Sequence, residues 1–485
     1  MQRLLTYALL TLIAAKVAIL VSPGPAAING DAQGYWELSS FVLQGDVLML
    51  REPIAFRTPV YPWFLAAVRL LPWPLLVITI IQGALYVASV AMAGYLASRI
   101  SRHRSAMILT LLIMLPAVSA ITFIGDLVTE TLFVFLLMLN LVTVDRYAQN
   151  PTKKVAALAG LTFALTLLTR PIVIMLWVAH LAFVAATHLS RKTETDDAPS
   201  LRRQVRSLVT KDRLLHVALA GAVVLAMASP WLARNNHLFG KTFLTEFVGR
   251  NVWIVTFQDG SGAGLSMPTT QSAREIQERI GRVHPSGDWH DSDWRHTWTV
   301  SDALVQSGLN DPQADRLMKS VAIDAMKQDK STVAYKAIRR IVNFWRSPAT
   351  QLEPPQPDYQ GFDDYPATWS LQSPMVSKFA TVADDYRISQ SVLGNTVVMA
   401  IIGCACVFLV INTTSRPWGI WISLILAYFC TITGLLEIPD YRYRLVVEPI
   451  AAMAVGSALA IGWGRFGGLQ PDLSLQPDLI GEIDP

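Results

Sequence analysis

Asp31 lies in Asn29-Gly30-Asp31-Ala32-Gln33-Gly34-Tyr35, a carboxylate in a glycine-flanked turn directly after a long apolar run. A carboxylate so placed has two readings. It caps the helix-like stretch that follows, Asp being a preferred capping residue, or it takes a proton from an attacking hydroxyl at a membrane surface. Gly125-Asp126-Leu127-Val128-Thr129-Glu130 supplies two more acids. Asp126 stands at a water boundary, and Glu130 falls one helical turn deeper on the same face. An acid inside an apolar span is costly and therefore functional by default; the other reading is a partner for a basic neighbour inside the bundle. Phe56-Arg57-Thr58-Pro59-Val60-Tyr61-Pro62 sets Arg57 and Tyr61 in a rigid, aromatic-lined corner. The planar guanidinium fork suits phosphate because it bonds two oxygens at once, although an arginine near lipid also snorkels to the headgroups. Arg234, Arg442 and Arg444 likewise stand at the ends of apolar runs. If the fold brings these four arginines together, they ring a phosphate or pyrophosphate-like headgroup.

The elements that must position these residues are membrane helices. Of the 485 residues 52% are hydrophobic and only 16% charged, with a mean hydropathy of +0.38, whereas soluble domains carry about 25% charged residues. The apolar residues fall in ten runs, at 4–21, 75–97, 106–124, 127–144, 155–168, 172–186, 214–233, 392–411, 418–436 and 445–463. Most approach the roughly 20 residues that cross a bilayer as a helix; the run at 155–168 is the weakest. The first run exceeds the apolar region of about 7–15 residues typical of a cleaved signal and reads as a retained helix. Lys and Arg gather in alternate loops, at Arg99, Arg102 and Arg104, at Arg146, Lys153 and Lys154, and from Arg191 to Arg213. By the positive-inside rule those loops are cytoplasmic, so the acids and arginines above face outward. The net charge of +4 then reflects topology and calls for no nucleic acid.

The expected fold is therefore an all-α polytopic membrane protein with about ten transmembrane helices and a mixed extracytoplasmic domain. Residues 1–235 form a transmembrane module with a first outer loop at 22–73, residues 236–391 the extracytoplasmic domain, and residues 392–485 the C-terminal transmembrane helices and cytoplasmic tail. Within the first loop, 35–43 is amphipathic and 63–71 is apolar but too short to span, so it lies in the interface or re-enters. Residues 316–345 read as one or two helices. Cys404, Cys406 and Cys430 all fall inside apolar runs, which excludes a disulfide framework and a four-cysteine metal site. His284, Asp288, His290, Asp291, Asp293 and His296 cluster between tryptophans, but at no recognised zinc spacing, and read as a solvated loop. P-loop, dinucleotide-binding and nucleophile-elbow motifs are absent.

The order of these motifs resembles the GT-C class of polytopic glycosyltransferases, which use polyprenyl-phosphate sugars. Within it the chain is most similar to the bacterial group around the protein mannosyltransferases and the lipid A aminoarabinose transferases. The resemblance covers most of the chain. It runs through Asp31 with Tyr35, the 57–62 segment, Asp126 with Thr129-Glu130, Leu168-Thr169-Arg170-Pro171, Pro230-Trp231 with Arg234-Asn235, a helix over 326–345, and Arg442-Tyr443-Arg444. It implies an inverting transfer at the outer face of a bacterial inner membrane, from a polyprenyl-phosphate sugar to a lipid, glycan or protein hydroxyl. It makes Asp31 the catalytic base, assigns Asp126 and Glu130 to the acceptor or metal region, and puts Arg57 near the donor phosphate. No cofactor is certain, and a divalent cation at the two outer acids stays open. The chain departs from the mannosyltransferases at Ala32, where they carry a second acid. A transporter or flippase of lipid-linked sugars would use the same arginines and acids, but the repeat symmetry or broken midplane helices such proteins show are not found in the sequence.

Overall fold

The computed structural model describes residues 2–21, 28, 30–117, 123–193, 210–259, 265–284, 293–346, 352, 392–438 and 441–465, without the side chains at 20–21, 191–193, 293, 392–394 and 441–442. Among the described residues there is no β-strand. In chain order the helices are α1 (Gln2–Val21), α2 (Asp31–Leu43), α3 (Val60–Arg69), α4 (Pro74–Ser101), α5 (Ser105–Met114) and α6 (Glu130–Gln149). Next come α7 (Lys153–Leu167), α8 (Leu176–Thr193), α9 (Lys211–Phe239), α10 (Val248–Trp253, continued by a wider turn Ile254–Gln258), α11 (Gln271–Val283) and α12 (Thr297–Gln306). The last are α13 (Asp311–Gln328), α14 (Lys330–Asn343), α15 (Val392–Ile411), α16 (Arg416–Leu436), α17 (Tyr441–Leu445) and α18 (Glu448–Arg465).

Every apolar run contains a helix. Five of them, α1, α4, α6, α9 and α16, are long and apolar enough to cross a membrane, while α5, α8 and α15 contribute shorter apolar stretches. The helix in the 106–124 run ends before Pro116, where a missing N–H ends the ladder. These helices leave much apolar surface uncovered. Only 17% of the apolar stretch of α9 is buried, and Leu225 is 66% exposed. A water-soluble chain rarely presents such a face; the missing cover is hydrocarbon, and the chain is an integral membrane protein.

The bundle is held by close approach and by buried polar contacts, the two forces available between helices in lipid. α7 lies between α6 and α9, where a Cβ on Gly160 would come within 2.6 Å of the Ala220 carbonyl oxygen. Asn140 of α6 donates to Thr162 at 3.0 Å and meets His180 of α8 at 2.9 Å, and Trp421 of α16 donates to the same imidazole at 3.0 Å. Lys16, which interrupts the first apolar run, donates to the carbonyls of Met114, Leu115 and Ala117 at 3.2, 2.8 and 2.7 Å. It thereby satisfies the open carbonyl end of α5.

The segment expected to be mixed in structure has helices as its regular elements, joined by irregular stretches at 240–247 and 265–270, among its described residues. Helices α10 to α14 pack on their own core of Trp253, Phe257, Ile276, Val300, Leu304, Met318 and Val321. Asn310 and Gln313 form a capping box that starts α13, and Asp329 caps α14 through the Thr332 N–H. That second cap is why 316–345 divides into two helices. The cluster docks on the bundle through α14. Arg340 donates to the Gly434 carbonyl of α16 at 2.8 Å and to Asp259 at 2.6 Å, and Arg339 donates to the same carboxylate at 2.5 Å.

Candidate functional site

Helix α2 starts where Gly30 takes a φ of 51°, open to glycine at little steric expense. The capping position is thus Gly30, and Asp31 is the first helical residue. Its carboxylate lies 3.4 Å from Arg57 Nη2, and its carbonyl accepts from Arg57 Nη1 at 3.0 Å. The Asp31 side chain is 49% exposed against 13% for Arg57, so the acid is open to an incoming hydroxyl while the cation is largely covered. Arg57 lies 4.1 Å over the Tyr35 ring. This approach requires glycine one residue earlier, since a Cβ at Gly34 would meet the guanidinium at 2.8 Å. Burial pushes the Tyr35 hydroxyl above its ordinary range, with Arg57 opposing, so the ring is a neutral platform.

The segment carrying Arg57 is tied to the bundle from both sides. Thr58 donates to the Thr169 carbonyl at 3.0 Å, and the Val60 N–H to the Leu168 carbonyl at 3.2 Å. On the other side, Arg234 gathers the preceding loop. It donates to the carbonyls of Leu48, Met49, Glu52 and Ile54 at 3.2, 3.1, 2.6 and 2.8 Å, and to Asn235 at 2.7 Å. At 2% exposure, Arg234, expected at the donor phosphate, is placed as a clamp on this loop. Arg234 thus has its guanidinium committed to this loop and not turned toward Arg57.

Tyr61 also differs from expectation. It is fully buried, and its hydroxyl donates to Gln82 Oε1 at 3.0 Å. It braces Tyr35 edge-on, with ring centroids 5.1 Å apart, and has no surface left for a phosphate. Gln82 in turn donates to the carbonyls of Ile124 and Asp126 at 2.9 and 3.0 Å, fixing the half-buried turn that carries Asp126. Glu130 is 2% exposed and pairs with Arg170 at 2.9 Å, the bundle-partner reading. Arg170 lies 5.8 Å from the Tyr443 ring. Arg444 donates to the Trp345 carbonyl at 3.1 Å and lies 3.6 Å from Glu448. Arg442 is in α17, and its side chain lies outside the described residues. Residues 285–292, with Asp288, His290 and Asp291 of the histidine and aspartate cluster, are also outside them. Among the described residues no three His, Cys, Asp or Glu side chains gather as a metal-ligand group.

One end of the bundle therefore collects Asp31, Arg57, Asp126, Glu130 and Arg444. It adds Arg170 and Gln82, which sequence reasoning did not name as site residues. Gln82 carried a signal, an amide within the apolar run 75–97; Arg170 carried a weaker one, as a cation in a very short loop. Beside this end an apolar groove of about 1090 Å³ runs between α1 and α4, lined by Leu10, Val17, Gly83 and Val87, with Trp36 and Trp73 also in its wall. Trp36 follows Tyr35 in α2, and Arg69 of α3 lies 3.8 Å over its ring.

Fold and site together define a helical integral membrane protein with an acid–guanidinium site at one end of its bundle, beside an apolar groove. No family model matches the chain, and no curated protein matches it. Among solved structures it is similar to a crystal structure of ArnT from Cupriavidus metallidurans bound to undecaprenyl phosphate, at 12% identity and a TM-score of 0.36, over 92% of this chain and 77% of that one. At that distance the likeness supplies no residue correspondence, and the functional reading stands on this chain's own geometry.

Proposed function

We propose that the protein is a GT-C-like inverting glycosyltransferase that moves a sugar from a polyprenyl-phosphate donor to an acceptor hydroxyl at the extracytoplasmic face of a bacterial inner membrane. About ten spans hold it there. The observation that carries this reading is the juxtaposition in α2: the Asp31–Arg57 pair rests on Tyr35, and the next residue, Trp36, lines the apolar groove. A lipid phosphate needs both parts, a cation for its head and a dry channel for its chain.

The chemistry follows from these groups. The acceptor hydroxyl attacks the anomeric carbon and gives its proton to Asp31. The bond from that carbon to the phosphate oxygen breaks, and the electron pair leaves with the polyprenyl phosphate. Arg57, fixed by its stack and by the loop, is preorganised for the charge that develops there, the arrangement by which electrostatic catalysis works. When the phosphate takes the guanidinium fork, it replaces the 3.4 Å contact between Arg57 and the Asp31 carboxylate, the group that takes the acceptor's proton.

The test uses purified full-length protein and a panel of polyprenyl-phosphate sugars, with release of lipid phosphate as the readout. Wild type should release it with at least one donor. Asp31→Asn should lower turnover by about 10²–10⁴-fold with donor binding retained. Near-normal transfer by Asp31→Asn would move the base assignment to Asp126. Passage of intact lipid-linked sugar across liposomes without cleavage would replace the enzyme by a transporter.

A further inference from the structure

Three aromatic side chains from distant parts of the chain meet beside Arg57. Phe56 comes from the first loop, Phe247 from the connection before α10, and Trp298 from the first turn of α12. Their ring centroids are 5.7 Å apart for Phe56 and Phe247, 5.3 Å for Phe56 and Trp298, and 5.7 Å for Phe247 and Trp298. The cluster is fixed from below. The Ala55 N–H donates to Asp311 at 3.0 Å, and the Glu246 N–H donates to the Ala55 carbonyl at 3.0 Å. Arg250, fully buried on Asp311 and Ser301, lies 5.3 Å from the Phe56 ring and 5.9 Å from Trp298. Yet the cluster is not a closed core: Trp298 is 44% exposed and both phenylalanines are half-buried. One helical turn beyond Trp298, on the same face of α12, stands the exposed carboxylate of Asp302.

We infer that Phe56, Phe247 and Trp298, with Asp302 at their rim, form the subsite that receives a pyranose ring of a glycan or glycolipid acceptor. This rests on the transferase reading and narrows its acceptor. The argument is chemical. The electron-rich face of an aromatic ring attracts the C–H face of a sugar, as it attracts the edge of another ring. A carboxylate beside it accepts from ring hydroxyls, the few placed polar groups that orient a ligand on an apolar wall. Phe56 is the chain neighbour of Arg57, whose guanidinium lies 5.8 Å from its ring. A sugar on the platform is thereby held next to the groups assigned to the reaction.

The experiment labels the full-length protein with 5-fluorotryptophan and assigns the Trp298 fluorine resonance by its loss in Trp298→Phe. Methyl glycopyranosides are then titrated in, with galactitol as an open-chain polyol and octanol as an apolar alcohol. The Trp298 signal should shift saturably with at least one methyl glycoside and stay still with galactitol and octanol. Asp302→Asn should raise the apparent Kd about tenfold, the scale of one stacked or hydrogen-bonded contact. A signal that ignores every glycoside, or that follows galactitol or octanol equally, overturns the assignment. The readout needs no turnover. A saturable glycoside shift in a protein that releases no lipid phosphate keeps the sugar subsite and removes the transferase reading.

Discussion

The guanidinium of Arg57 is shared between the Asp31 carboxylate at 3.4 Å, the Asp31 carbonyl at 3.0 Å and the face of Tyr35. None of these alone makes a strong bidentate pair. The longer contact is to a half-exposed carboxylate, where pairing contributes little, so an arriving phosphate with two oxygens is a better partner. This ordering gives a graded expectation at the scale of one side chain. Arg57→Lys keeps the charge, loses the fork and the planar stack, and should weaken polyprenyl-phosphate binding roughly tenfold. Arg57→Ala loses both and should weaken it by about a hundredfold. Titration of the two variants with polyprenyl phosphate in detergent measures the difference. If both bind like wild type, Arg57 is a headgroup anchor and the phosphate lies elsewhere.

At the scale of helices, the docking of α14 on the bundle places more cations than anions out of water. Lys336 is buried and donates to the Thr256 carbonyl at 2.9 Å, near Asp259 but also near Arg339 and Arg340. Burial lowers its pKa from the ordinary 10.5 to about 8. Between those values the unfolded chain holds a proton on this amine that the folded chain has released. Folding stability therefore rises with pH across that window. Below pH 8 the full burden of the buried ammonium remains. Thermal unfolding of wild type and Lys336→Met between pH 7 and 10 should show a gain in the wild type that the variant lacks; parallel curves would mean the amine is better solvated than its burial implies. This cluster also marks the limit of what the sequence disclosed. The apolar runs foretold the bundle helices because burial in lipid demands them. The pairing of Asp31 with Arg57 was not legible, since it depends on α2 and the 51–59 loop meeting across a turn of the chain. The contacts of Arg234 were not legible for a similar reason. An arginine at the end of a span looks like a phosphate ligand until the carbonyls of residues 48–54 are seen to converge on it.

For the whole molecule the first question is orientation. The helical cluster of α10–α14 lies on the same side as Asp31 and Arg57, joined by Asp311 to Ala55, and the positive-inside rule carries the expectation that this side faces outward. Gln277, exposed on α11, provides the test. In a chain with its three cysteines replaced, Gln277→Cys should react with an impermeant maleimide in intact cells. Reaction only after permeabilisation would invert the topology and take the proposed site to the cytoplasmic face. The Arg234 clamp also sets an order of events in synthesis. Its carbonyl partners leave the ribosome 180 to 186 residues before it does, an interval on the order of ten to forty seconds at ordinary translation rates. Throughout that time the first loop is without the side chain that shapes it, and its carbonyls need water or headgroups as partners. A nascent chain arrested before residue 234 would thus carry Asp31 and Arg57 in an unfinished loop, and the site would mature only when the seventh apolar run enters the membrane.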